Sequence, residues 1–243
     1  MRIWGITDTG LVRRENQDAY AAAVIADCTV AVVCDGMGGT NGGHTASTVA
    51  VETLLRQLRA ALRPGMSWPH IRKETLRGIA QANQAIRAIA DADETLSHMG
   101  TTLVCAVCRD AEAMVFNVGD SRCYFIDSEG IRQVTRDHSV VENMVERGDI
   151  TQAQARRHPS RNLITRALGP DADVETDCFS VSWQQGDFLL LCTDGLVNTV
   201  SDQEMLFEVM HESDLDGCLD RLMAAAKEQG APDNVTVVLL QNL

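Results

Sequence analysis

Four aspartates stand where strand-like runs end or begin. Asp35 follows the apolar run 30–34 and precedes Gly36, and Asp194 follows 189–193 and precedes Gly195. Asp120 follows the run 114–119, and Asp233 stands at the entry to the apolar run 235–240. A strand end is a rigid place from which to aim a side chain into a cleft. Taken singly, Asp-Gly after a strand is an ordinary turn. Taken together, the four carry a second reading, convergence on one site. Carboxylates at close range cannot all stay ionised unaided. A divalent cation removes that conflict, and oxygen donors without His or Cys select a hard ion, Mg²⁺ or Mn²⁺. Two or more such ions suit hydrolysis at phosphorus, one activating a water and both neutralising phosphate charge.

A second group lies near the N-terminus, in the segment 8–18. It places Arg13 and Arg14 five and four residues before Asp18. A guanidinium is the natural bidentate partner of a phosphate oxygen pair. A solvated basic turn accounts for the same residues equally well. The eight cysteines offer no competing chemistry, since most lie inside apolar runs and read as reduced core thiols. Cys105 and Cys108 have a zinc-like spacing, but no second pair matches them.

The elements that would position these residues follow from periodicity. Short β-branched runs predict strands at 3–7, 20–26, 29–34, 101–108, 113–118, 122–126, 173–181, 187–192 and 235–241. Helical spacing covers 46–62, and a second stripe begins after Ser67-Trp68-Pro69, a polar cap with an early proline. These two helices are expected to form an antiparallel pair. Further helices are expected at 140–147, 151–157, 202–210 and 215–228. Tight connections favour antiparallel strands, and the element order does not alternate as a parallel fold would. The expected class is α+β, antiparallel sheets covered by helices.

In this setting the chain resembles the PP2C (PPM) family of metal-dependent serine/threonine protein phosphatases, in its short bacterial form. The matching motifs, in order, are Thr7-Asp-Thr-Gly-Leu-Val-Arg13, Asn16-Gln-Asp18, Val33-Cys-Asp-Gly-Met-Gly-Gly39, Met99-Gly-Thr-Thr102, Val118-Gly-Asp-Ser-Arg122, Asp137-His-Ser139, Thr193-Asp-Gly195 and Asp233-Asn-Val-Thr-Val237. Any one of them is weak, whereas the ordered set is specific and spans the chain. The resemblance implies an α-β-β-α sandwich, two antiparallel sheets flanked by helix pairs, as one domain over 1–243. It implies that Asp35 bridges two metals, that the Gly36 carbonyl binds one of them, and that Asp194 and Asp233 complete the first site. Asp18 would serve the second site through water, and Asp120 a third ion shared with Asp194. Arg13 matches the phosphate-binding arginine. A metal-bridging water would attack phosphorus in line, with Asp35 and Asp194 central to turnover and no phosphoenzyme.

The chain also departs from the family pattern. Gln17 stands where many members have Glu, Met37 where animal members have His, and Thr40 where bacterial relatives often have His. The nearest imidazole is His44, either a proton donor to the leaving group or a solvated residue at a helix start. The implied partners are phosphorylated proteins and a cognate Ser/Thr kinase whose work the enzyme reverses. The alternative is a pseudophosphatase that binds phosphoprotein without turnover. The complete set Asp35, Asp120, Asp194 and Asp233 argues for activity.

Composition narrows the partners. Lys and Arg number 21 against 34 Asp and Glu, a net charge of −13. Nucleic acid and anionic membrane both need clustered positive charge, so neither is expected as a partner. The segment 136–166 is the exception, with six arginines against four acidic residues. It resembles the family's flap beside the active site and reads either as a dock for acidic phosphorylated segments or as solvent faces of short helices. With no apolar leader or span, a soluble cytoplasmic monomer is expected.

Overall fold

Alternation with period two runs through the central strands, and on them both faces are apolar. The computed structural model describes residues 1–39, 42–210 and 215–243; Thr40 lies outside them. The strands are β1 (Arg2–Asp8), β2 (Asp18–Ile25), β3 (Cys28–Met37), β4 (Gly100–Thr101), β5 (Leu103–Arg109), β6 (Glu112–Val118), β7 (Arg122–Asp127), β8 (Gly130–Gln133), β9 (Asp177–Ser182), β10 (Phe188–Cys192) and β11 (Val235–Gln241). One sheet runs β1-β11-β10-β7-β8 and the other β2-β3-β5-β6-β9, with β4 against β3. Their pairings are antiparallel, as the short connections require.

Helices α1 (Gly42–Ala61) and α2 (Trp68–Ala92) cover the second sheet. The first is covered by α5 (Asp194–Val197), α6 (Asp202–Met210) and α7 (Cys218–Glu228). Two short helices, α3 (Val140–Glu146) and α4 (Gln152–Ala155), lie in the arginine-rich segment. Three apolar layers result. On β3, Val30, Val32 and Cys34 face α1 and α2, while Ala31 and Val33 enter the seam between the sheets. On β10, Leu189 and Leu191 enter that seam, and Leu190 and Cys192 face α6 and α7. The architecture is the expected α-β-β-α sandwich of class α+β.

The same parity carries polar residues to one end of the seam. Thr7, Asp18, Asp35, Thr193 and Thr236 continue the seam-facing registers of β1, β2, β3, β10 and β11. The seam is therefore apolar through most of its length and ends in hydroxyls and carboxylates.

Local differences from the sequence reading have physical causes. The strand expected from 173 begins at Asp177, because Asn83 ties down the carbonyls of Asp171 and Ala172 ahead of it. Strand β8 is four residues long and mostly polar, and it is held by pairing with β7. Ser67 occupies the N-cap of α2 but makes no capping bond; its hydroxyl meets His70 Nδ1 at 2.7 Å. Among the described residues, no helix is long and apolar enough to cross a membrane.

Candidate metal and phosphate site

The polar end of the seam opens into a cavity of about 580 Å³. Asp35, Asp120, Asp194, Asp233, Gly36 and Arg13 line it, with Arg14, Thr102, Asn162 and Ile164 on its rim. The sequence-predicted set is thus brought together, with one difference in depth. Asp18 pairs with Asp35 across β2 and β3 but lies behind the cavity wall, 6% exposed.

Each carboxylate is held by its neighbours. The Asp35 carbonyl accepts from Thr102 N at 2.9 Å and from Thr101 Oγ1 at 2.8 Å, and Asp35 N donates to Thr102 Oγ1 at 2.9 Å. That accounts for the Gly-Thr-Thr motif. Asp120 follows Gly119, whose φ of +101° favours glycine. Gly119 N donates to His138 Nδ1 at 3.0 Å, and His138 N returns a bond to the Gly119 carbonyl at 3.0 Å. The second ring nitrogen of His138 lies 3.2 Å from Asp177 Oδ2 and 3.0 Å from Arg166 Nη1. Asp194 opens α5 and takes a bond from Asn198 at 3.0 Å. Asp18 Oδ2 accepts from Thr236 at 2.6 Å and Thr193 at 2.9 Å.

The electrostatics match this crowding. Burial, then the neighbouring carboxylates, pushes Asp35, Asp120 and Asp194 above the ordinary carboxylate range. Asp18 is raised to about 7, burial outweighing its two threonine bonds. Asp18 Oδ1 and Asp194 Oδ1 are buried with no hydrogen-bond partner. Unpartnered buried anionic oxygens are costly, and an all-oxygen donor set of this kind fits a hard divalent cation. The donors are not drawn into a finished cage: among the described residues, no three carboxylate, imidazole or thiol groups are gathered around one point. Thr193 and Thr236 hold Asp18 back, and Asp233 turns to Arg13.

Arg13 Nη2 donates to Asp233 Oδ2 at 2.7 Å, with 57% of the arginine side chain exposed. That bond, then the Asp233 charge, raises its pKa further. The guanidinium is therefore a fixed cation at the cavity mouth, paired at one edge and open at the other. Gln17 lines the cavity but gives its amide to the Gly39 carbonyl at 2.8 Å. His44 is exposed and meets the Asn16 carbonyl at 3.3 Å, and it is not part of the cavity wall. Among the described residues no thiol lines the cavity, and burial keeps thiols such as Cys28, raised to about 11, protonated. In the arginine-rich segment, Arg136 pairs with Glu146 and Arg166 with Asp177, while Arg156, Arg157 and Arg161 are exposed.

Sequence reasoning assigned no role to Thr193, Thr236, Asn234 or His138. Thr193 and Thr236 left a trace, polar residues at core-facing positions of otherwise apolar strands.

Residues 12–239 match the family model described as Protein phosphatase 2C. The serine/threonine phosphatase stp of Listeria welshimeri is 36% identical over 97% of this chain and 93% of its own length. The protein phosphatase PhpP of Streptococcus pneumoniae is 33% identical over 99% of this chain and 97% of its own. Among solved structures, the serine/threonine phosphatase Stp1 of Staphylococcus aureus superposes with a TM-score of 0.91 at 33% identity, covering 98% of this chain and 94% of that one.

Proposed function

The chain belongs to the protein phosphatase 2C family, a family of metal-dependent serine/threonine protein phosphatases, and from that premise we propose that it hydrolyses phosphoserine and phosphothreonine esters on proteins at the seam-end cavity. The observation that carries the assignment of the site is the convergence of Asp35, Asp120, Asp194 and Asp233 on one opening with Arg13 at its mouth.

Asp35, the Gly36 carbonyl, Asp194 and Asp233 would hold two Mn²⁺ or Mg²⁺ ions, Asp18 would serve the second of them through water, and Asp120 with Asp194 would hold a third. Metal held by these residues would supply an activated water for attack on phosphorus and would neutralise phosphate charge. Asp18, one oxygen pinned by two threonines, keeps the other as an acceptor that orients water. Arg13 turns its open edge to the phosphoryl oxygens and aligns the ester. Water would attack phosphorus directly, the ester P–O bond breaking as the new P–O bond forms, with no covalent phosphoenzyme. With no imidazole in the cavity wall among the described residues, the leaving alkoxide takes its proton from water rather than from His44.

The substrates are phosphorylated proteins, and the chemistry reverses that of a Ser/Thr kinase. The chain is proposed to act as one catalytic domain over 1–243 and as a monomer. The test is hydrolysis of p-nitrophenyl phosphate and of a phosphothreonine peptide, with Mn²⁺ and with EDTA. Turnover that requires Mn²⁺ and disappears in Asp35→Asn supports the reading. A folded protein inert toward both substrates would instead be a phosphoprotein-binding module.

A further inference from the structure

We propose that Asn234 is a positioning residue that sets the arginine loop at the cavity mouth, and so governs phosphate binding through Arg13. Asn234 follows Asp233 in chain order and is 5% exposed. Its side chain uses three hydrogen-bonding positions, and all of them go to one loop. The amide nitrogen donates to the carbonyls of Thr9 and Glu15, each at 2.9 Å. The amide oxygen accepts from Gln17 N at 2.8 Å. These contacts bracket Arg13 and Arg14 on both sides. They replace the regular backbone pairing that the segment between β1 and β2 lacks.

Two independent contacts bring the loop to the same place. Leu11 N donates to the Ala231 carbonyl at 2.9 Å. Gly10, at φ +78°, lies so close that a Cβ would stand 2.2 Å from the Asp233 carbonyl oxygen. The loop is therefore pressed on the entry to β11, and Arg13 reaches Asp233 from there at 2.7 Å. A buried amide with three good bonds holds both chain segments at once, and its loss leaves two carbonyls and an N–H without partners. The consequence is functional because Arg13 is exposed and long, so its placement depends on the backbone beneath it. Misplacing a binding group by about 1 Å is enough to cost on the order of a hundredfold.

This inference rests on Arg13 as the phosphate-binding residue, so the experiment separates the two. Steady-state kinetics with a phosphothreonine peptide at saturating Mn²⁺ would compare the wild type, Arg13→Ala, Asn234→Ala and the double variant. Asn234→Ala is expected to raise KM about tenfold with kcat within about twofold, and to add little once Arg13 is absent. Hydrogen exchange at residues 9–17 should rise in Asn234→Ala while the β10 and β11 amides stay protected. If Arg13→Ala leaves KM unchanged, the phosphate reading fails. If Arg13→Ala raises KM and Asn234→Ala does not, or if the two effects simply add, the positioning role fails. Should Asn234→Ala not fold, the isosteric Asn234→Asp, which keeps the Gln17 contact and loses both donors, carries the same cycle.

Discussion

Thr236 and Asp18 meet across the seam between the two sheets, the threonine hydroxyl donating to Asp18 Oδ2 at 2.6 Å over 218 residues of chain. The contact belongs to a short hydroxyl network, since Thr7 Oγ1 lies 2.7 Å from Thr236 Oγ1 and Thr193 shares the same Asp18 oxygen. The last hydrophobic layer of the sandwich thus becomes a support for its innermost carboxylate.

Removing that hydroxyl tests the support. Thr236→Val keeps the shape of the side chain and takes one of two donors from Asp18. Bonds to the ionised form are what oppose its burial, so the proton is held more tightly and competes better with metal. Calorimetric titration near neutral pH should show Mn²⁺ affinity lower by on the order of tenfold, equivalent to about 1.4 kcal/mol. Unchanged affinity would mean the threonines are only packing.

The metal-free protein should have an inverted acid response. Asp18 titrates at about 7 in the fold against an ordinary 3.8. The native state therefore keeps a proton that the unfolded chain has already released, and stability falls as pH rises through that interval. Carboxylates held low, such as Asp8 bonded to Lys227, lose their contribution only as pH falls through values below that interval. In EDTA, Tm should be higher near pH 5 than near pH 7.5. Mn²⁺ should raise Tm strongly near pH 7.5 and little near pH 5, because binding must expel the proton. Scanning calorimetry with and without Mn²⁺ checks both statements.

Site carboxylates and structural carboxylates should respond oppositely to deletion. Asp35→Ala or Asp194→Ala removes a member of a mutually repelling group. Turnover should disappear, while Tm in EDTA near neutral pH is retained or rises. Preserved turnover in Asp194→Ala would overturn its assignment as a ligand.

Asp137 is the contrasting case. It accepts three bonds from Arg122 at 2.7–3.0 Å and one from Gln133 at 2.8 Å, and its side chain is 10% exposed. Asp137→Ala leaves the half-buried Arg122 guanidinium without its anion, a change that costs on the order of 1–3 kcal/mol. Urea denaturation should show that loss directly.

The parts of this molecule legible in the sequence were those set by local pattern. Short β-branched runs located most strands of the two sheets, and aspartates at their ends marked the candidate site. What remained hidden was set by partners distant in the chain. Strand β8 has too few apolar residues to announce itself and exists by pairing with β7. Thr193 and Thr236 leave only a faint trace, polar residues in otherwise apolar runs, and it is the stacking of the sheets that places them beside Asp18. The ion pair between Arg13 and Asp233 spans 220 residues, and no spacing rule reaches that far. Gln17 stands in the sequence where many family members have Glu, whereas in the fold its amide is occupied by the Gly39 carbonyl.

The pairing of β1 with β11 has an architectural consequence. Asp8 lies opposite Val235 at the end that carries the cavity, while Arg2 lies opposite Gln241 at the other. Both chain termini therefore leave the molecule together, on the side turned away from the cleft. A tether, a reporter or another module joined at either terminus would hang behind the enzyme and leave the approach of a bulky phosphoprotein clear. The same adjacency makes the chain a candidate for circular permutation, with a short linker joining the old ends and new ones opened in an exposed turn such as that at Gly65.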